Sequence, residues 1–110
     1  MKITKDTKDT KDTKDKAIET IEKYNKSTDQ EYIPRFQVTK GFLFLDRIDN
    51  GNKSKICRLK YKGKTNNWEF AIFRYSTGGY HDDEPFFPGI EEVDGTIVGA
   101  MKAGDEAYYM

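Results

Sequence analysis

The chain has 110 residues, with 19 basic and 19 acidic side chains, a formal net charge of zero, one histidine and one cysteine. Zero net charge removes the bulk electrostatic signature of a nucleic-acid-binding domain. The lone Cys57 excludes an intrachain disulfide, and no stretch approaches the roughly twenty apolar residues of a membrane-spanning helix, so one domain in a reducing, cytoplasmic setting without membrane association is expected.

Within the first fifteen residues, Thr-Lys-Asp repeats with a period of three from Thr4-Lys5-Asp6 through Thr13-Lys14-Asp15, and the repeat offers no apolar side chain to offset ordering entropy. Residues 1–15 read as a disordered tail. Residues 16–30 change character: Ile18 and Ile21 share a helical face, and Glu19/Lys23 and Glu22/Lys26 form i,i+4 pairs, which predicts a short amphipathic helix and a linker. Residues 31–110 read as a single α+β domain.

Within that domain Pro34 holds Ile33 extended, and Phe36-Gln37-Val38-Thr39 alternates as a strand does. Phe42-Leu43-Phe44-Leu45 is a continuous apolar run suited to a strand covered on both faces. Asp49-Asn50-Gly51-Asn52 predicts a tight turn, because Asn and Gly accept positive φ. In residues 55–62, Cys57, Leu59 and Tyr61 point one way and Arg58, Lys60 and Lys62 the other, with Ile56 out of phase. Residues 68–75 supply aromatic and β-branched side chains for a buried strand ended by Gly78-Gly79. Tyr80-His81-Asp82-Asp83-Glu84-Pro85 is too acidic and too broken by proline for a central strand. Thr96 caps a final helix whose stripe is Ile97, Ala100, Met101, Gly104 and Tyr108, slim enough to approach a sheet closely. The expected fold is therefore α+β: an antiparallel meander of three to five strands, one C-terminal helix packed on it, a short N-terminal helix and a disordered tail.

Charge is separated along the chain. Residues 52–75 carry seven cations against Glu69, whereas residues 80–110 carry eight acids against Lys102. Two binding surfaces follow. The acidic corner Asp82, Asp83, Glu84, Glu91 and Glu92 suits a protein partner. The row Arg58, Lys60, Lys62 and Lys64, with Tyr61 nearby, suits nucleic acid, since cations along a strand track phosphates while rings stack on bases. His81 beside three acids is the one cluster that offers a metal-assisted hydrolase, a remote reading because neighbouring residues of an extended segment point apart. Cys57 falls on the apolar side of its strand, as an inert thiol does. No catalytic constellation and no cofactor are implied.

The stretch from residue 68 onward resembles HicB-like antitoxins, which have a partial RNase H-like ββ(β)α fold. The resemblance rests on Phe70-Ala71-Ile72-Phe73 as a hydrophobic strand, Gly79-Tyr80 as a glycine-aromatic turn, Phe87-Pro88-Gly89 as a corner, Gly95-Thr96 as a helix start, and the spacing of Ala100, Ala103 and Ala107. It implies a non-catalytic protein that occupies a basic, RNA-cleaving partner through Asp82, Asp83, Glu84, Glu91 and Glu92. The leading expectation is thus a small binding module that engages a protein through its acidic loop, as an inhibitor or antitoxin does. The alternative is a nucleic-acid-binding module using the basic strand.

Overall fold

A computed structural model describes residues 8–37, 40–63, 67–82 and 87–108. Helix α1 (Lys8–Ser27) leads into five strands, β1 (Tyr32–Gln37), β2 (Phe42–Asp49), β3 (Asn52–Tyr61), β4 (Trp68–Arg74) and β5 (Gly79–His81). A single 3-10 turn (Ile90–Glu92) then precedes helix α2 (Ile97–Ala107). The strands pair in chain order β1-β2-β3-β4-β5, each antiparallel to the next. This is the expected α+β meander with the C-terminal helix on its sheet. No described helix is long and apolar enough to cross a membrane.

Turn chemistry sets the register. Asn50 (φ 51°) and Gly51 (φ 82°) form the two-residue loop between β2 and β3, and positive φ at both positions matches the twist of the flanking strands. Partnered residues share a face of the sheet. One face therefore holds Tyr32, Leu43, Leu45, Arg47, Leu59 and Ile72, and both helices cover it. A β-bulge leaves Ile56 without a partner, since Leu45 pairs with Cys57 and Asp46 with Lys55. Two successive residues of a bulge can face the same side. Ile56 and Cys57 are accordingly both fully buried in the helix-covered core, which explains the break in phase at Ile56.

The N-terminal helix is longer than expected. It begins at Lys8, so it takes in repeats that read as a disordered tail, and residues 1–7 lie outside the described residues. The reason is helical spacing: Thr13, Ala17 and Ile21 recur every four residues and are all buried, so a repeat threonine starts the stripe that packs on the sheet. Lys14 of the same repeat lies 5.6 Å from the centre of the Phe36 ring. The α1 helix is part of the hydrophobic core rather than an appendage, because Ala17 and Ile21 belong to it.

The α2 helix starts as its sequence requires, with the Thr96 hydroxyl accepting the Gly99 N–H at 2.9 Å. Its C-terminal turn is held by a buried polar cluster. Arg47, 1% exposed, donates to both Asp49 carboxylate oxygens at 3.0 Å, to the Gly104 carbonyl at 3.4 Å and to the Tyr108 carbonyl. Tyr32 donates to Asp105 at 2.6 Å, and Tyr24 donates to the other oxygen of the same carboxylate. Burial, reinforced by Asp105, pushes both phenols well above the usual tyrosine range, and burial does the same to the Cys57 thiol.

Two expected outcomes test this packing. A Cβ on Gly104 would lie 2.6 Å from Ile56 Cγ2 and 2.9 Å from the Tyr32 hydroxyl, whereas one on Gly79 would meet nothing within 4 Å. Urea denaturation should show Gly104→Ala less stable by about 1–3 kcal/mol and Gly79→Ala within about 0.5 kcal/mol of the parent. The second outcome concerns pH. Tyr24, Tyr32 and Cys57 keep their protons in the folded state where the unfolded chain loses them, so folding binds protons above about pH 8.5–10. Stability should be complete below that window and fall as pH rises through it, with the urea midpoint dropping between about pH 8 and 11.

Candidate functional site

Both helices pack on one face of the sheet, and the opposite face carries the most concentrated chemistry among the described residues. Its side chains follow from register. Arg35 pairs with Phe44, Phe44 with Arg58, Phe42 with Lys60, Lys60 with Glu69, and Phe73 with Tyr80. Because of the bulge, Asp46 and Lys55 fall on the same face, and the Lys55 ammonium lies 5.4 Å from the centre of the Phe73 ring.

The rings make a connected layer. Tyr80 lies 5.0 Å from Phe73 and 5.2 Å from Phe44, centroid to centroid. Strands β2 and β5 are separated by β3 and β4, a span of about 14 Å at normal strand spacing, so these side chains lean across the sheet to meet. Phe42 continues the row at 5.8 Å from Phe44. Guanidinium groups cover it: Arg35 lies 4.4 Å from the Phe44 ring centre, and Arg58 lies 4.5 Å from Phe42 and 5.6 Å from Tyr80. The second cover expected for the Phe42–Leu45 run is thus a layer of arginine planes, with Leu43 and Leu45 fully buried on the helix side and Phe42 and Phe44 half-buried here.

Two polar atoms beneath this layer have no hydrogen-bond partner, Asp46 Oδ1 and the Tyr80 hydroxyl. Asp46 is 2% exposed, and its other oxygen accepts from Arg35 Nε at 3.4 Å. Burial raises the Tyr80 phenol above its ordinary value, and Arg35 opposes that shift.

The residues of the basic row divide. Arg58, Lys60 and Lys62 share the open face, where Lys62 Nζ comes within 4.0 Å of Glu69. Tyr61 does not join them: it pairs with Trp68 on the helix-covered side, its ring 5.0 Å from the Trp68 ring, because strict alternation places it opposite Lys60. Lys64 lies outside the described residues. The aromatic partners of the cations are instead Phe42, Phe44, Phe73 and Tyr80. The alternation inside Phe42-Leu43-Phe44-Leu45 carried that signal, but only pairing with β3 shows which phenylalanines meet Arg58.

The described members of the acidic corner stand on two segments of the chain. Asp82 is exposed just after β5, Glu91 and Glu92 sit on the 3-10 turn that packs against α2, and Asp83 and Glu84 lie outside the described residues. A ring nitrogen of His81 is 2.7 Å from the Thr77 hydroxyl. Among the described residues no three His, Cys, Asp or Glu side chains converge to hold a metal ion.

The ring layer yields a test. Tyr80→Phe keeps the stacking and removes an unpartnered buried hydroxyl, so its thermal stability should equal or exceed that of the parent, whereas Tyr80→Ala should cost about 1–3 kcal/mol. Calorimetry of both variants measures the difference. No family model, curated protein or solved structure matches this chain.

Proposed function

We propose that the chain is a non-enzymatic binding module that takes single-stranded nucleic acid on the open face of its sheet. The observation that carries this reading is the stacking of Arg35 and Arg58 on Phe44 and Phe42 at 4.4 and 4.5 Å. Stacking fixes the guanidinium planes, which then need little further ordering to meet a base or a phosphate. Lys53, Lys55, Lys60 and Lys62 stand on the same side, so the strands set six cations against Asp46 and Glu69 there although the whole chain is neutral. Local excess, rather than total charge, draws in a phosphate backbone. A single strand fits best, because planar groups on an open sheet stack on bases that a duplex keeps paired and stacked.

The acidic corner supports a protein partner less well. Of its described members, Glu91 and Glu92 stand on a turn packed against α2, apart in the chain from Asp82 at the end of β5.

Fluorescence anisotropy with labelled twelve-nucleotide oligo-dT and oligo-rU, and with a duplex of equal length, tests the assignment. Three phosphate contacts at a slope of about −0.7 per contact give about 20-fold weaker single-strand binding at 200 mM than at 50 mM salt. Arg58→Ala should weaken binding about 5- to 10-fold, as loss of one stacked or charge-assisted contact does. Tyr61→Phe should leave it unchanged, since that ring is on the other side of the sheet. Absence of single-strand binding at 50 mM salt, or equal affinity for the duplex, would falsify the proposal.

A further inference from the structure

On the helical layer, α1 and α2 leave a groove between them that the sheet does not fill. Two adjoining cavities of about 660 and 320 Å³ share Thr20 and Val98 in their walls, so they form one channel along the helices. One wall is the stripe Lys16, Thr20, Lys23 and Ser27 of α1, spaced i, i+4, i+7 and i+11 and spanning about 16 Å. The other is Val98 and Lys102 of α2, one turn apart.

The hydroxyl groups of this channel are already committed. Thr20 donates to the Lys16 carbonyl at 2.8 Å, Ser27 and Thr28 both donate to the Tyr24 carbonyl at 3.0 Å, and Tyr24 donates to Asp105. A small polar ligand would find no oriented side-chain hydroxyl donor here. What remains is apolar contact along Val98 and the Tyr24 ring, flanked by the ammonium groups of Lys16, Lys23 and Lys102 against the carboxylates of Glu19 in the wall and of Asp94, which accepts from Thr96 at the groove's edge, while Asp105 is matched by Arg47. Among the described residues none of these three lysines forms an ion pair.

We infer that this groove docks an amphipathic helix of another protein, about three turns long, with an apolar stripe and acidic flanks. A third helix laid between two packed helices is a recurrent recognition mode, read through i, i+3/i+4 and i+7 anchors. The charge balance of the walls selects acidic flanks and rejects basic ones. A second copy of this chain does not fit: α1 carries six lysines against five acids, and the apolar stripes of both helices are already buried against the sheet. The inference stands apart from nucleic-acid binding, because the groove and the open sheet face lie on opposite sides of the molecule.

A display library of fourteen-residue amphipathic helices with randomised flanking positions, selected against the full chain, tests it. The enriched helices should carry net negative charge, and by anisotropy they should bind Lys23→Glu/Lys102→Glu at least 10-fold more weakly. Val98→Arg should block them equally, and amide NMR spectra of each variant show whether the fold is retained. Should Val98→Arg not fold, the two exposed lysine changes carry the test alone. The inference is overturned if no helix is enriched, if the enriched set has no acidic bias, if the double lysine variant binds unchanged, or if the chain sediments as a dimer that Val98→Arg dissociates.

Discussion

Arg47 is the one charge that the rest of the fold is arranged around. It stands on β2, is 1% exposed, and ties the sheet to the last turn of α2 through the carbonyls of Gly104 and Tyr108. A cation at a helix C-terminus complements the negative end of its dipole, and here it adds a second donor to the Gly104 carbonyl, which also takes the Tyr108 N–H at 3.0 Å. Burying a guanidinium is costly unless carboxylates accompany it, and Asp49 at 3.0 Å and Asp105 at 3.7 Å supply that compensation. Asp105 in turn takes the hydroxyls of Tyr32 and Tyr24, so one carboxylate joins α2 to both β1 and α1. Losing one member of such a cluster typically costs about 3–5 kcal/mol, a large part of the roughly 5–15 kcal/mol that holds a domain together.

This cluster explains why the two sides of the sheet differ. With the helices fastened to one face, the other must manage its own apolar surface, and it does so with arginines over phenylalanines. Such an arrangement dries the rings in part while leaving positive charge at the surface. The same residues therefore serve packing and present a surface suited to recognition.

Much of the meander was legible because its signals are local. Asn50-Gly51 sets a turn by backbone freedom, Thr96 caps a helix by one side-chain bond, and the alternation of Cys57, Leu59 and Tyr61 against Arg58 and Lys60 needs no knowledge of neighbours. The start of α1 was not legible, since Thr13 becomes buried only when Ala17 and Ile21 bring it onto the sheet, and nothing in a polar repeat announces that. Nor was the Arg47 cluster, whose members Tyr24 and Asp105 are 81 positions apart in the chain. The candidate site was half legible: the cations of β3 stood out, but their rings come from β2, β4 and β5 and are assigned only by register.

The bulge at Ile56 gives the length of β3 an importance that its composition does not show. Lys55 and Arg58 are three positions apart and would fall on opposite sides of an unbroken strand, yet they share a face because one extra residue intervenes. The extra residue adds a second buried side chain, Ile56 beside Cys57, to the helix-covered core, while Lys53 and Lys55 keep the face that Arg58 presents. A one-codon deletion of Ile56 would leave the charged face in register and empty a fully buried site beside Gly104, so its cost would fall on the core and not on the cations.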